Sequence, residues 1–274
     1  MSPTDTGSRA TVADQAILGR SIQGVLPREG AVSVTAFDRV VAAVDASHYL
    51  LTPRAVVTPA SVDEVAALLT YANAAGEPVT FRSGGTSLSG QASTGNILVD
   101  TRTNFRDIEV LDAGARVRVG PGATVRQVNT RLARHGRKLG PDPASEIACT
   151  IGGVVANNSS GMACGITQNA YRTLESAVIV LATGTVVDSV APDGHDKLRC
   201  AEPSLGQELT MLRERLVGDA ELRDQVTRQF SIKNTMGYGL NALHDHHPPV
   251  EIHTRLMVGS EGTLGFVAEA TFRT

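Results

Sequence analysis

The chain predicts an α+β fold, and three observations in the sequence carry that expectation. A capped amphipathic helix lies between two short apolar segments in the first third. Alternation of strand and helix then breaks down after a glycine-rich stretch at residues 83–90, where three short apolar segments follow one another. Two apolar runs meeting around Thr183-Gly184 predict a hairpin, and a helical region follows it. Strands in succession and grouped helices disfavour a simple alternating βαβ sheet.

In chain order, residues 1–47 read as a leader of short apolar groups mixed with Gly and Pro, with a short helix over residues 37–44. Residues 55–58 predict a strand. Ser61 opens a helix: Ser61 and Glu64 have capping-box spacing, and Val62, Val65, Ala66, Leu69 and Ala72 fall on one face. Gly76 stops it. Residues 79–82 predict a strand running into the glycine-rich loop, and further strands follow over 97–100, 108–111 and 116–119. A second helix is predicted over 124–134, with Val125, Val128 and Leu132 on one side. Small apolar residues over 151–156 predict a short buried helix, and runs at 174–181 and 186–190 form the hairpin. Residues 204–228 predict two helices broken near Gly218-Asp219. Residues 230–247 read as loop, and 255–272 as a glycine turn between strands.

Composition narrows the class. The chain has 274 residues, 42% hydrophobic and 19% charged, which is ordinary for a globular protein of two domains or subdomains. A net charge of -3 and a pI near 6.2 give no overall footprint for nucleic acid or an anionic membrane. Cys149, Cys164 and Cys200 are odd in number and lack CxxC spacing, which points to a reducing compartment. Three thiols are too few for a four-thiolate iron–sulfur cluster. The first residues lack the pattern of a secretory signal, and no apolar run reaches the roughly 18 residues of a spanning helix. A cytoplasmic protein is the expectation.

The most informative stretch is Phe81-Arg82-Ser83-Gly84-Gly85-Thr86-Ser87-Leu88-Ser89-Gly90. Glycines permit positive φ and close backbone approach, so successive N–H groups can curl around an anion, with hydroxyl groups as further donors. A diphosphate is the natural guest. A turn rich in small residues has the same composition, so the loop alone leaves both readings open. GxGxxG is absent and no clear helix begins at Gly85, so this is not a Rossmann fingerprint; no GK[ST] occurs either.

Within that stretch, Arg82 to Gly90, written RSGGTSLSG, resembles the diphosphate loop of the vanillyl-alcohol-oxidase-like flavoproteins, whose FAD domain is called PCMH-type. Three further segments match in order: Gly140-Pro141-Asp142-Pro143 ahead of Cys149-Thr150-Ile151-Gly152-Gly153, then Asn157-Asn158-Ser159-Ser160-Gly161, then Gly259-Ser260-Glu261-Gly262-Thr263-Leu264-Gly265. The IGG and GSEGTLG pair is similar to the D-lactate, glycolate and D-2-hydroxyglutarate dehydrogenase branch. Asp45-Ala46-Ser47 and Lys233-Asn234-Thr235-Met236-Gly237-Tyr238 resemble larger members with a fused iron–sulfur domain.

The resemblance implies a PCMH-type fold over residues 48–274, with subdomains of about 48–140 and 141–274 clasping FAD. It implies cofactor contacts from Arg82, Ser83, Gly84, Gly85, Thr86, Ser87, Leu88 and Gly90 at the diphosphate. Pro141, Asp142, Thr150, Ile151, Gly152, Gly153, Asn158, Ser159, Ser160 and Gly161 would line the flavin and its ribityl chain. Gly259, Glu261, Gly262 and Leu264 would close the pocket from the C-terminal side. Covalently flavinylated relatives often carry His after the paired glycines; Thr86 stands there, so non-covalent FAD is expected.

The implied activity is oxidation of a D-2-hydroxy acid by hydride transfer to flavin N5, with an iron–sulfur domain or subunit as electron acceptor. A nicotinamide-dependent reductase on the same scaffold and a non-catalytic flavin module are the alternatives. The resemblance also implies a following cap domain for substrate, absent from this sequence, and no catalytic base is nominated here. His244, Asp245, His246 and His247 read as a solvated loop, so no metal site is expected. Lys233 is a surface lysine or a group reaching a carboxylate or the flavin edge. His135 sits where a helix dipole favours it, Arg213 to Arg228 form solvated helix faces, and Cys164 and Cys200 are inert.

Overall fold

The computed structural model describes residues 11–274. Nine strands form two sheets: β1 (Val32–Ser33), β2 (Ala55–Val57), β3 (Val79–Arg82), β4 (Ile97–Asp100), β5 (Ile108–Leu111), β6 (Arg116–Val119), β7 (Leu174–Val180), β8 (Val186–Asp188) and β9 (Phe266–Arg273). The first sheet runs in the order β1-β2-β4-β3, with β4 parallel to both β2 and β3 and β1 antiparallel at the edge. Central β4 is apolar at Ile97, Leu98 and Val99, all buried, as a parallel strand covered on both faces requires.

Helix Val62–Ala75 covers this sheet. Ser61 accepts from the Glu64 amide, and Gly76 closes the helix in the left-handed region. The box is incomplete, because the Glu64 carboxylate takes the Ala60 amide and the Arg28 guanidinium instead of the Ser61 amide.

The N-terminal segment is not a separate leader. A full capping box between Thr11 and Asp14 starts helix Val12–Val25, whose Leu18 and Ile22, followed by Leu26, enter the first core beside Ala55, Val57, Leu68, Ile97 and Val99. β1 then joins the sheet, and helix Ala36–Val41 follows within the expected 37–44.

The second sheet, β5-β6-β9-β7-β8, is antiparallel throughout. β5 and β6 pair into it through β9, about 150 residues later in the chain. The division between subdomains therefore falls between β4 and β5, not near residue 140 as the sequence suggested. β6 alternates solvated Arg116 and Arg118 with buried Val117 and Val119. Helices Gly194–Ala201, Pro203–Gly218 and Ala220–Phe230 pack on this core through Leu198, Leu209, Leu216 and Val226.

Two C-terminal readings are corrected. The stretch over 230–247 contains the short helix Ala242–Asp245. Residues 255–272 hold one strand, β9, because Arg255 and Leu256 end helix Pro249–Leu256. Pro249 stands at the start of that helix, where its missing N–H costs nothing.

A third apolar cluster joins the subdomains: Val65 and Leu69 from the first meet Phe105, Val180, Phe266 and Ala268. The Phe266 ring stacks on Phe81 at 4.7 Å and meets Phe105 edge-on at 5.5 Å. The β7–β8 turn also docks on the helix, with Thr70 Oγ1 donating to the Thr183 carbonyl at 3.0 Å. Gly184, at φ +88°, closes that turn, and a Cβ there would meet Thr70 Oγ1 and the Ala66 carbonyl. Gly184→Ala is expected to lower Tm by about 4–8 °C, since left-handed strain and the clash together cost about 2 kcal/mol. Thermal unfolding checks this, and an unchanged Tm contradicts the docking described.

Candidate functional site

Between the two subdomains lies a cavity of about 730 Å³, within the roughly 300–1,000 Å³ of small-molecule and cofactor pockets. One stretch of its wall is the loop after β3, contributing Ser83, Gly84, Gly85, Thr86 and Ser87. The loop is pinned from behind. Arg82, 3% exposed, donates Nε and Nη2 to the Ala92 carbonyl at 3.0 and 2.7 Å, and Nη1 to the Ala42 and Val44 carbonyls. Asp45 completes the anchor by accepting from the Ser47 amide, the Ser47 hydroxyl and the Ser93 hydroxyl, with Arg82 at 4.0 Å. Those hydroxyls, the Ser47 amide and the nearby guanidinium hold its carboxyl below the usual range although burial acts to raise it.

Consecutive amide groups of the loop are left without protein partners. The Gly85 carbonyl turns to the Ala46 amide at 3.0 Å, on the side of the anchor. Among the described residues the amides of Gly84, Gly85, Thr86 and Ser87 donate to no protein acceptor. Gly85 has φ +62°, the left-handed geometry that lets consecutive N–H groups form a concavity. Gly84 packs on the opposite subdomain, where a Cβ would come within 2.6 Å of the Ala148 carbonyl and 2.9 Å of Cys149 Cα.

The facing wall is the start of helix Ile151–Ala156. Thr150, 2% exposed, lines the cavity at the N-cap position, yet its side chain caps nothing and its Oγ1 has no protein partner. The Ile151 and Gly152 amides are already committed to the Ala123 and Pro121 carbonyls, each at 2.9 Å. The helix start is therefore largely a packing junction, and the Thr150 hydroxyl and the Gly153 amide are its polar groups without a protein partner among the described residues. At Gly152 a Cβ would lie 2.7 Å from Ser83 Oγ and 2.8 Å from Pro121 Cβ, so glycine permits the loop and helix to close on each other.

At one end the cavity is bounded by Asn157, Ser159, Glu261 and Gly262. The Asn157 side-chain amide donates to Glu261 Oε1 at 2.7 Å, while the Gly259 and Glu261 amides donate to the Val155 and Ala156 carbonyls. The cavity also reaches Leu69, Asn73, Glu77, Phe81, Phe266 and Val267, none of which the sequence reading gave as cofactor contacts, although Phe81 heads the glycine-rich stretch. They come from helix Val62–Ala75, the turn after it and β3, and from β9 more than 180 residues later, so no single local motif marks them.

The other sequence-predicted residues stand beside the cavity. Arg82 anchors the loop, and Leu88 is 72% exposed. Gly90, at φ +83°, seats the Tyr49 ring. Pro141 and Ile151 are buried outside the lining, and Leu264 packs against the core. Asp142 shapes the neighbouring turn by accepting from the amides of Gly161, Ala163 and Cys164 at 3.0, 3.0 and 3.1 Å. Burial acts to raise its pKa, but the three amides and the Cys164 thiol bring it below the usual carboxylate range. Asn158, at φ +47°, and Gly259, at φ +86°, are turn residues, and Ser160 and Gly161 offer their carbonyls to Lys233 Nζ.

Asp245 accepts from the Tyr171 hydroxyl at 2.9 Å and from Asn241, and His246 meets Glu251. No group of three or more His, Cys, Asp or Glu side chains among the described residues is placed to hold a metal ion. No helix among them is long and apolar enough to cross a membrane.

The orphan Thr150 hydroxyl, the uncommitted loop amides and the close-packed glycines fit a dinucleotide held between the subdomains. Comparison with known proteins agrees: the sequence profile of the family described as "FAD binding domain" matches residues 53–189. A D-2-hydroxyglutarate dehydrogenase of Pseudomonas putida is 30% identical over 250 residues, covering 88% of this chain and 24% of that protein. A D-lactate dehydrogenase of Archaeoglobus fulgidus is 33% identical over 239 residues, covering 84% and 41%. The glycolate oxidase subunit GlcD of Escherichia coli is 38% identical over 122 residues, covering 43% and 24%. The chain thus spans between about a quarter and two-fifths of the length of these relatives. Among solved structures, an alkyldihydroxyacetonephosphate synthase (17% identity, TM-score 0.61, 93% of this chain and 40% of that one) and a chitooligosaccharide oxidase (16%, 0.59, 92% and 43%) share the fold.

His253 sits on the helix leading into the 259–265 turn, 4% exposed. Burial pushes its imidazole down to about 4, against a smaller opposing effect from a hydrogen bond to the Leu264 backbone. The unfolded chain binds this proton below about pH 6.5 and the folded chain only near 4. Stability from this group is therefore complete above about 6.5 and declines as pH falls toward 4, by up to about 3 kcal/mol. His253→Gln is expected to flatten that part of the pH dependence in denaturant titrations; an unaltered slope contradicts the assignment.

Proposed function

The chain belongs to the family of FAD binding domains, and on that premise we propose that it is the flavin-holding part of a dehydrogenase acting on a D-2-hydroxy acid. The observation that carries the cofactor half is the cavity wall itself. Gly84 to Ser87, whose amides meet no protein acceptor among the described residues, line the same cavity as Thr150, whose buried hydroxyl has no protein partner either, each from its own subdomain. In this reading the amides and the Ser83, Thr86 and Ser87 hydroxyls bind the diphosphate, each charge-assisted bond contributing about 1.5–3 kcal/mol. Thr150 donates to the cofactor from the opposite wall. Gly152 and Gly153 allow a flat ring to approach the backbone, and Asn157, Ser159 and Glu261 bound the cavity at the same end. With Thr86 after the paired glycines, binding is non-covalent.

The substrate half is supported by the named activities of the relatives, which are dehydrogenases of D-2-hydroxyglutarate and D-lactate and a glycolate oxidase subunit. Bound FAD supplies the two-electron acceptor, at N5, for the hydride leaving the substrate's α-carbon. This chain's contribution is to orient that acceptor and to keep the walls around it closed. Substrate recognition, the base that takes the hydroxyl proton and an iron–sulfur electron acceptor are assigned to other parts of the whole protein or to a partner. Three unpaired cysteines, two of them buried, favour a cytoplasmic setting.

Thr150→Val is the sharpest test of the cofactor half. The hydroxyl has no protein partner, so the isosteric change is expected to hold Tm within about 2 °C while weakening FAD binding about tenfold, near 1.4 kcal/mol. Equal FAD affinity in the variant contradicts the role given to Thr150. For the substrate half, anaerobic D-2-hydroxyglutarate, D-lactate or glycolate is expected to bleach the visible band of the FAD-loaded full gene product, whereas NADPH leaves it unchanged. Bleaching by NADPH alone assigns the scaffold to a reductase instead.

A further inference from the structure

A second, much smaller cavity of about 30 Å³ lies behind the turn that carries Asn157 and Ser159 and shares no lining residue with the large one. Two atoms of its wall residues, Asn158 Oδ1 and Asn234 Nδ2, are buried and meet no protein partner. One is an acceptor and the other a donor. The other two asparagines of the wall are committed: Asn169 accepts from the Arg172 amide at 3.0 Å, and Asn241 donates to Asp245 at 3.3 Å. Leaving a buried amide group unpaired is unfavourable, so two in one enclosure call for a shared partner. A polar cavity holds a water once it offers roughly 10–15 Å³, and this one has that room.

We propose that one ordered water occupies this cavity, accepting from Asn234 Nδ2 and donating to Asn158 Oδ1, and that it fastens residues 233–238 to the turn at 157–161. Two other contacts fasten the same strap. Lys233 Nζ donates to the Ser160 and Gly161 carbonyls at 3.4 and 3.3 Å, and the Tyr238 hydroxyl bonds Thr263 Oγ1 at 2.7 Å. Those two contacts are exposed, and the water is the buried one. Asn158 adopts a left-handed backbone at φ +47°, a geometry its short polar side chain tolerates, and it is joined directly to Asn157 and Ser159. Asn157 in turn holds Glu261 across the end of the large cavity. Asn158 and Asn234 are thus positioning residues, acting on that wall through the shared water and through Asn157 and Ser159. The effect on FAD rests on the cofactor reading above, whereas the water itself does not.

A crystal structure of the FAD-loaded full chain at about 1.5 Å resolution is expected to show one density peak within about 2.7–3.2 Å of both amide groups. A dry cavity, a direct bond between the two side chains, or Asn158 turned toward the FAD overturns the proposal. Stopped-flow release of FAD tests its consequence. Asn158→Gly, which keeps positive φ accessible, and Asn234→Ala are each expected to release FAD about fivefold faster, near 1 kcal/mol. The double variant is expected to match either single one, because each already expels the same water. Effects that multiply, or release rates equal to the parent's, contradict the shared water as a positioning device. Should a variant fail to fold, the density alone decides.

Discussion

Burial of the Arg82 guanidinium is the constraint on which the site depends. A cation taken out of water is stable only where its donors are met, and Arg82 meets carbonyls from two different chain segments together with Asp45. That single side chain ties residues 42–47 to the far end of the glycine-rich loop at Ala92. With the loop's outer face secured, including the Gly85 carbonyl on Ala46, its amides are left for whatever enters the cavity. Rigidity here matters because donors held in place need not be reorganised when a charged guest arrives.

The second constraint is close approach across the junction. Gly84 lies against the backbone of Ala148 and Cys149, and Gly152 against Ser83 and Pro121, so each subdomain presents bare backbone to the other. Phe266, held between Phe81 and Phe105, gives the same junction an apolar floor. The cavity exists between these two fixed points. Turns rich in Gly, Asn and Ser build one part of its lining, and a helix and two strands add apolar Leu69, Phe81, Phe266 and Val267 beside Asn73.

Much of this was legible in the sequence where the signal is local. The capped helix ending at Gly76, the strand before the loop, the hairpin at Gly184 and the buried helix over 151–156 all follow from periodicity, caps and turn residues. What failed was non-local. Residues 12–26 looked like a leader because a few apolar positions identify a core helix only once β2 and β4 are there to cover them. β5 and β6 carry no mark of their partner β9, so the subdomain boundary was misplaced. Helix Pro249–Leu256 went unnamed, although proline often begins helices. At the site, the motif residues were found, but motif membership did not separate lining from support. Arg82, Gly90 and Asp142 share segments with the cavity wall yet serve the backbone behind it.

The position of the diphosphate in the FAD-loaded chain tests the central claim most directly. The anchored loop predicts both phosphoryl groups within about 3 Å of the amides running from Gly84 to Ser87, with Thr150 Oγ1 on the cofactor from the other side. Phosphoryl groups resting at the start of helix Ile151–Ala156, with the loop amides turned to solvent, would contradict it.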